Sequence, residues 1–248
     1  MLARAFGLAA LFLGALASIS AASTKAELES AIRLEKIAFL LVTDRGAAAV
    51  DRARQTIERA MPSVGRSTLI VLDRSEPQNA DLVAKFRLAG APVPLILVAA
   101  RNGALAGGIV ASQATPEKLV AMVPSPKKAE ILKYLESGKS VFIYASRRSM
   151  TTQGAASCAA ACARLDGKCV TVSIDMDDPK ETKFLEQLKV GLASMEPVTL
   201  VVNGDGQLTG TYTGAADIAN LVQAATKKAG GCCPTTVQGG GKTCPPAK

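Results

Sequence analysis

The chain has 248 residues, enough for two domains of ordinary size; 48% of its residues are hydrophobic and only 4% are aromatic. Its net charge is +8, and it contains neither histidine nor tryptophan. The absence of histidine excludes Ser-His-Asp and Cys-His catalytic sites and mixed Cys/His zinc sites. The basic residues are scattered among acidic ones, so we expect no nucleic-acid partner and at most weak association with a membrane surface.

Residues 1–22 have the features of a secretory signal peptide. Arg4 precedes an uncharged apolar stretch, residues 5–19, and the small residues Ser20, Ala21 and Ala22 follow it. An uncleaved membrane anchor is the alternative, because the apolar stretch is near the lower length limit for a membrane span. We expect cleavage, and therefore an exported protein, periplasmic or secreted, with no transmembrane span in the mature chain.

From residue 23 the chain contains two similar units, 23–125 and 126–229, followed by a tail at 230–248. Residues of the first unit recur 103 positions later in the second, among them Lys25, Glu27, Phe39, Pro94 and Gly103 as Lys128, Glu130, Phe142, Pro197 and Gly206. Identities that hold one offset over separated stretches indicate a duplicated structural unit. The tail is rich in Gly, Pro and Cys, and this composition predicts neither a helix nor a core.

The two units predict the same order of elements. After a short helix, apolar runs at 37–42 and 141–145 are typical of strands buried on both faces. A helix and a second strand follow, at 68–73 and 170–175, and then another short helix. Pro94 and Pro197 precede a third strand, Asn102-Gly103 and Asp205-Gly206 predict tight hairpin turns, and a last helix closes each unit.

This order of elements resembles the thioredoxin fold. The resemblance implies an α/β protein made of two tandem thioredoxin-like domains, each with a central mixed sheet flanked by helices, plus a flexible Cys-rich C-terminal tail. Thioredoxin-like proteins carry a cis proline just before the third strand, facing the active site. The resemblance therefore implies cis peptide bonds at Pro94 and Pro197.

Neither unit carries the Cys-x-x-Cys motif that the family places at the start of its first core helix. The corresponding residues are 43–49 in the first unit and 146–150 in the second, and neither stretch contains a cysteine. The first unit contains no cysteine at all. Thiol chemistry at the family's usual position is therefore not expected in either unit.

Six cysteines lie elsewhere, and their roles stay open at this point. Cys158 and Cys162 are the catalytic candidates, although four-residue spacing on a helix suits a direct disulfide poorly. A bridge between Cys162 and Cys169 across the helix end is a structural alternative, and Cys232 and Cys233 are further disulfide candidates. The metal-ligand candidates are Cys158, Cys162, Cys169, Cys232, Cys233 and Cys244.

These features support three hypotheses about function. The first is an exported, non-catalytic binding or scaffold module with structural disulfides, which grips a protein partner and needs no cofactor. The second is an atypical thiol–disulfide oxidoreductase that uses Cys158 and Cys162 together with the tail cysteines. The third is a soft-metal protein that binds Cu(I) or Zn through thiolates. Whether the protein is an enzyme is not decided by its sequence.

Overall fold

A computed structural model describes residues 23–150 and 153–228. The first domain has four helices and four strands within these residues: α1 (Thr24–Arg33), β1 (Ile37–Thr43), α2 (Val50–Val64), β2 (Ser67–Asp73), α3 (Ala80–Lys85), β3 (Leu95–Ala99), β4 (Leu105–Val110) and α4 (Pro116–Met122). The second domain repeats them: α5 (Pro126–Glu136), β5 (Ser140–Ser146), α6 (Gln153–Ala163), β6 (Cys169–Asp175), α7 (Thr182–Gln187), β7 (Val198–Val202), β8 (Leu208–Thr213) and α8 (Ile218–Thr226).

Each domain is built on one four-stranded mixed sheet. The strand order is β2-β1-β3-β4 in the first sheet and β6-β5-β7-β8 in the second. The first two strands of each unit are parallel, and the third and fourth strands run antiparallel to their neighbours. The prediction of two tandem thioredoxin-like domains is confirmed by this order.

The central strand of each sheet explains why the apolar runs of the sequence are continuous. Every residue of β1 is buried, and so is every residue of β5 except the last. In the first domain α1 and α3 cover one face of the sheet, while α2 and α4 cover the other. A strand between two helical layers has no polar face, so residues of both parities are hydrophobic.

The two proline positions differ in their peptide bonds. The Val93–Pro94 bond is cis, the isomer implied at that position, whereas the bond before Pro197 is not. The implied cis bond at Pro197 is therefore wrong for this structure. The turn before Pro197 is held differently, since Ser194 Oγ accepts a hydrogen bond from the Glu196 amide and donates one to the Glu196 carbonyl. In both domains the proline carbonyl still accepts a hydrogen bond from the residue that follows the fourth strand, from Ala111 N and from Gly214 N.

The domains are joined at α5. At the tip of the β3–β4 hairpin Asn102 Nδ2 donates to Ala129 O at 2.8 Å, and Leu105 N donates to Glu136 Oε1 at 2.5 Å. Ala100 and Ala104 pack against Ala129 there. The first residue of α5 is Pro126; the boundaries at 22, 125 and 229 themselves stay predictions.

The start of α5 is anchored to its own domain by a buried carboxylate. Glu181, which is 1% exposed, accepts hydrogen bonds from Ser125 Oγ at 2.5 Å and from Lys127 N at 2.9 Å. Ser125 also caps α5, because its hydroxyl accepts a bond from Lys128 N. Two otherwise unsatisfied donors at the helix start are thereby paired. None of the described helices is long and apolar enough to cross a membrane.

Candidate functional site

A cleft of about 540 Å³ lies in the second domain, beside the stretch after β5 where the resemblance implied a Cys-x-x-Cys motif. It is formed by the loop after β5, the start of α6, the turn before β7 and the segment after β8. Its lining is mainly apolar or uncharged: Ser149, Met150, Gln153, Gly154, Met195, Pro197, Gly214 and Ala215, with Glu196 as the single carboxylate. The loop after β5 contains no cysteine, and the cleft beside it is an apolar groove.

Two methionines stand on opposite loops of this cleft. Met150 is partly buried against the core, and its Sδ accepts a hydrogen bond from Arg147 N at 3.3 Å. Met195 is 81% exposed, the largest exposed fraction among the large hydrophobic side chains of the described residues. Methionine is flexible and polarizable, and it is common at surfaces that bind varied apolar partners.

The floor of the cleft depends on a glycine. A Cβ atom placed on Gly154 would lie 2.5 Å from Cε2 of Tyr144, which is 3% exposed. The helix can therefore approach β5 at this point only without a side chain. Burial raises the pKa of the Tyr144 phenol, opposed by a hydrogen bond from Ser146. The tyrosine is thus a neutral core group beneath the cleft.

A charged brace holds the loops around the cleft. Arg147, just after β5, forms an ion pair with Asp177 in the loop after β6, and it also donates to the Leu192 carbonyl. The same arginine therefore connects three loops, including the one that leads to Met195 and Pro197. An arginine with several fixed acceptors orients a loop more firmly than a single salt bridge does.

Cys158 lies in the core rather than in the cleft. Its side chain is 0% exposed, and its Sγ is 3.9 Å from Thr199 Oγ1. Burial raises the pKa of the Cys158 thiol, and only the contact with Thr199 opposes this. The buried positions of α6 are Gly154, Cys158 and Ala161, which repeat the spacing of Ala53, Ile57 and Ala60 in α2. Cys158 therefore fills the place that an isoleucine fills in the first domain.

Cys162 and Cys169 form a disulfide at the other end of the domain. Their Cα atoms are 5.1 Å apart, within the ordinary range. Cys162 lies in the last turn of α6, and Cys169 begins β6 beside Ser140, the first residue of β5. The cleft lies at the opposite ends of the helix and the strands. The sequence analysis gave this bridge as the structural alternative to a catalytic role for Cys162. It closes the turn that contains Gly167.

The structure does not bring the remaining sequence candidates together. No group of three or more His, Cys, Asp or Glu side chains that could hold a metal occurs within residues 23–150 and 153–228. Cys162 and Cys169 are occupied by their disulfide. Cys232, Cys233 and Cys244 lie outside the described residues, so their roles as disulfide or metal-ligand candidates stay predictions.

The sequence reasoning overlooked the residues that shape the cleft. Met150 lies in the stretch 146–150, where the resemblance implies the motif. Met195 lies two residues before Pro197. A search for methionines in the loops beside those two positions finds both. Their closeness in space follows from the antiparallel pairing of β5 with β7, which puts the end of one strand beside the start of the other.

Comparisons with known proteins give similarity at the level of solved structures. No protein-family model and no curated protein sequence matches the chain. The first two thioredoxin domains of Naumovozyma dairenensis Eps1p are 14% identical, with 79% of this chain and 92% of that chain covered and a TM-score of 0.29. The zinc-bound form of human ERp44 is 11% identical over 80% of this chain and 55% of that one, with a TM-score of 0.31.

The N-terminal NTD_N/C domain of alkylhydroperoxide reductase AhpF from Enterococcus faecalis is 16% identical, over 82% of this chain and 99% of that one, with a TM-score of 0.28. With TM-scores this low, none of these similarities is used to assign the fold. The assignment of the fold depends on the strand order of each sheet. The chain has two tandem domains of thioredoxin-like fold, and the second domain carries an apolar cleft beside the loop after β5.

Proposed function

We propose that this protein is an exported, non-catalytic binding module that holds an extended segment of another protein in the cleft beside Pro197. The cleft with the exposed side chain of Met195 at its rim is the observation that carries the proposal. Its volume of about 540 Å³ is within the usual range for binding sites. An exposed methionine beside a preformed apolar groove is stabilised when a partner's apolar side chain covers both.

The placement of the thiols supports a binding role over disulfide exchange. An exchange reaction needs an accessible thiolate at the site where the substrate is held. No cysteine occurs in residues 143–157, and the next one, Cys158, is buried with a raised pKa. The Cys162–Cys169 disulfide closes a turn at the far end of the domain.

The cleft also indicates the chemistry of its occupant. The amide and the carbonyl of Glu196 are already bonded to Ser194 Oγ, so the turn offers little to the main chain of a partner. Recognition then depends on side chains. Methionine, proline and alanine surfaces favour a long apolar side chain, and the Glu196 carboxylate at the rim favours a basic residue next to it.

A binding assay with fluorescent peptides tests the proposal. The probe is an extended peptide with one central Leu next to Lys, compared with the same peptide carrying Asp in place of Leu. Met195→Asp should weaken binding of the Leu peptide about tenfold, because it puts a charge where an apolar side chain is buried. Leu208→Asp is the matched control: Leu208 is also an exposed apolar residue, 52% exposed, but it lies outside the cleft.

Equal affinity of wild type and Met195→Asp for the Leu peptide would remove the proposal. So would stoichiometric oxidation of a dithiol substrate by the wild-type protein, in which the Cys162–Cys169 disulfide is reduced as the substrate disulfide forms, with a loss of that activity in Cys162→Ser. In that case the disulfide, and not the cleft, would be the working site.

Export is part of the same proposal. The composition of residues 1–22 and the disulfide of the second domain support it, since disulfides persist mainly in oxidising compartments. N-terminal sequencing of the protein from its native cells should give a chain that begins at Ser23. A chain that begins at Met1 in the cytosolic fraction would contradict export and leave the cleft proposal intact.

A further inference from the structure

A second, smaller cavity lies where the linker between the domains meets α7. Its volume is about 170 Å³, well below the roughly 300–1,000 Å³ of ordinary ligand pockets. The walls are formed by the end of the first domain, the linker, the start of α5, and α7 with the segment before it: Ala121, Val123, Pro124, Ser125, Lys128, Lys180, Lys183, Phe184 and Gln187. A cavity of this size suits a small ion or the terminal group of a larger molecule.

Three lysines line this cavity, and none of them has an acidic partner within the part of the chain that the structure describes. None of Lys128, Lys180 and Lys183 takes part in the ion pairs found among the described residues. Lys128 Nζ donates to Gln187 Oε1 at 3.1 Å and lies 5.7 Å from the centre of the Phe184 ring. Burial, and then repulsion by Lys183, lower the pKa of Lys128.

The first domain shows what this position contains when its charge is balanced. There the equivalent lysine, Lys25, forms an ion pair with Asp81 at 3.6 Å. Asp81 is the second residue of α3, and the second residue of α7 is Lys183. The second domain therefore has a like-charged pair, Lys128 and Lys183, where the first has an ion pair.

The acidic groups near the cavity are already bonded. The Glu181 carboxylate is buried and accepts from Ser125 Oγ and Lys127 N. Glu130 forms its ion pair with Lys127 at 2.9 Å. Neither carboxylate lines the cavity, so the ammonium groups around it are not neutralised by the described residues.

We propose that this lysine-lined cavity binds a phosphate or sulfate group. A compact anion would supply to Lys128 and Lys183 the negative charge that Asp81 supplies to Lys25, and charge-assisted hydrogen bonds to ammonium groups are strong. Because the linker residues Val123, Pro124 and Ser125 form one wall, the bound anion lies against the junction of the domains. The group can belong to a free anion or to a lipid headgroup, and these two sources are separable by experiment.

The experiment is isothermal titration of the full chain with inorganic phosphate, against sodium chloride at equal ionic strength. Lys183→Asp recreates the pairing of the first domain inside the cavity and should weaken phosphate binding about tenfold or more. Lys128→Gln should weaken it as well. The matched control is Lys25→Gln, which removes the equivalent lysine of the first domain and should change the affinity less than about twofold.

A second arm uses vesicles that contain phosphatidic acid, with phosphatidylcholine vesicles as the reference. Phosphate binding without vesicle binding assigns the site to a free anion. If phosphate displaces the protein from the vesicles and Lys183→Asp abolishes vesicle binding, the site is assigned to a lipid headgroup. If phosphate and chloride behave alike, or if Lys183→Asp binds phosphate as tightly as the wild type does, the proposal is overturned.

Discussion

Asp44 and Arg74 form a two-bonded ion pair that joins the loops after β1 and β2, with distances of 2.8 and 2.5 Å. The position of Asp44 corresponds to that of Arg147 in the second domain, where the charges are exchanged and the partner is Asp177. In both domains the arginine also donates to carbonyls of the loop before the third strand. Both domains therefore have an arginine–aspartate pair between these two loops, but the arginine and the aspartate have exchanged places.

Arg74→Met should destabilise the first domain. Only 14% of the Arg74 side chain is exposed, and its loss removes the partner of Asp44 and of the Leu88 and Ala91 carbonyls. We expect the free energy of unfolding in urea to fall by about 1–3 kcal/mol. Arg148→Met is the control, since Arg148 is 93% exposed in its pair with Asp175 and should contribute at most about 0.5 kcal/mol. Equal losses in the two variants would contradict this assignment.

The same pair predicts a dependence of stability on pH. The hydrogen bond from Arg74 lowers the pKa of Asp44 below its usual value of 3.8; burial opposes this, and the charge of Arg74 adds to it. A carboxyl whose pKa is lower in the folded state stabilises the fold above the unfolded pKa, and this contribution is lost as the pH falls through the folded pKa.

The difference in melting temperature between wild type and Asp44→Asn should therefore be constant above about pH 5 and shrink below about pH 4. Thermal unfolding of both proteins, followed by circular dichroism from above about pH 5 to below about pH 4, measures this difference. A difference that stays the same under acidic conditions would show that Asp44 acts through packing and not through its charge.

Gly154→Ala should destabilise the second domain in spite of the better helix propensity of alanine. Propensity alone favours the change by about 1 kcal/mol. The added Cβ would lie 2.5 Å from the Tyr144 ring, and overpacking of a core costs about 1–3 kcal/mol. We expect a net loss in urea denaturation. Gly191→Ala is the control, because a Cβ atom at Gly191 would meet open space. Gly167→Ala is unsuitable, because Gly167 has a positive φ of 75°.

Cys158 should behave as a core residue. Native protein treated with a thiol-reactive reagent should show no labelling of the Cys158 peptide by mass spectrometry, because its side chain is 0% exposed and the pKa of its thiol is raised. The same peptide should label fully in urea. Cys158→Val should change the free energy of unfolding by less than about 1.5 kcal/mol. Rapid labelling in the native state would reopen the catalytic role of this thiol.

The Cys162–Cys169 disulfide should be a structural element. The two cysteines are seven positions apart, and closing so short a loop stabilises the fold by about 2–3 kcal/mol. Cys162→Ala/Cys169→Ala should lose that amount in urea denaturation and keep wild-type affinity for the Leu peptide. Loss of peptide binding in a variant that remains folded would connect the disulfide to the cleft.

Much of the fold could be predicted from the sequence because its pattern is duplicated. The apolar runs that became β1 and β5 and the Asn102-Gly103 and Asp205-Gly206 turns each have one physical interpretation, and each occurs twice. The bond before Pro197 could not be predicted in the same way. Pro94 and Pro197 precede equivalent third strands, and nothing in the sequence around them separates a cis bond from a trans one.

The candidate site was less predictable, since it depends on contacts between distant residues. Cys158 looked like a chemical group in the sequence, and only its packing against Thr199 shows it as part of the core. The opposition of Lys128 to Lys183 is likewise visible only after α5 and α7 are packed together. Side-chain chemistry can be recognised from the sequence, but its environment requires the fold.

Photo-crosslinking is the most direct test of the cleft beside Pro197 as the working surface. A photoreactive phenylalanine derivative is placed at position 195, or at position 208 as the reference, and the protein is mixed with a reduced, carboxymethylated polypeptide. Crosslinks to the polypeptide should form from position 195, and added Leu peptide should reduce them. Position 208 should give few crosslinks. Equal crosslinking from both positions would contradict the account.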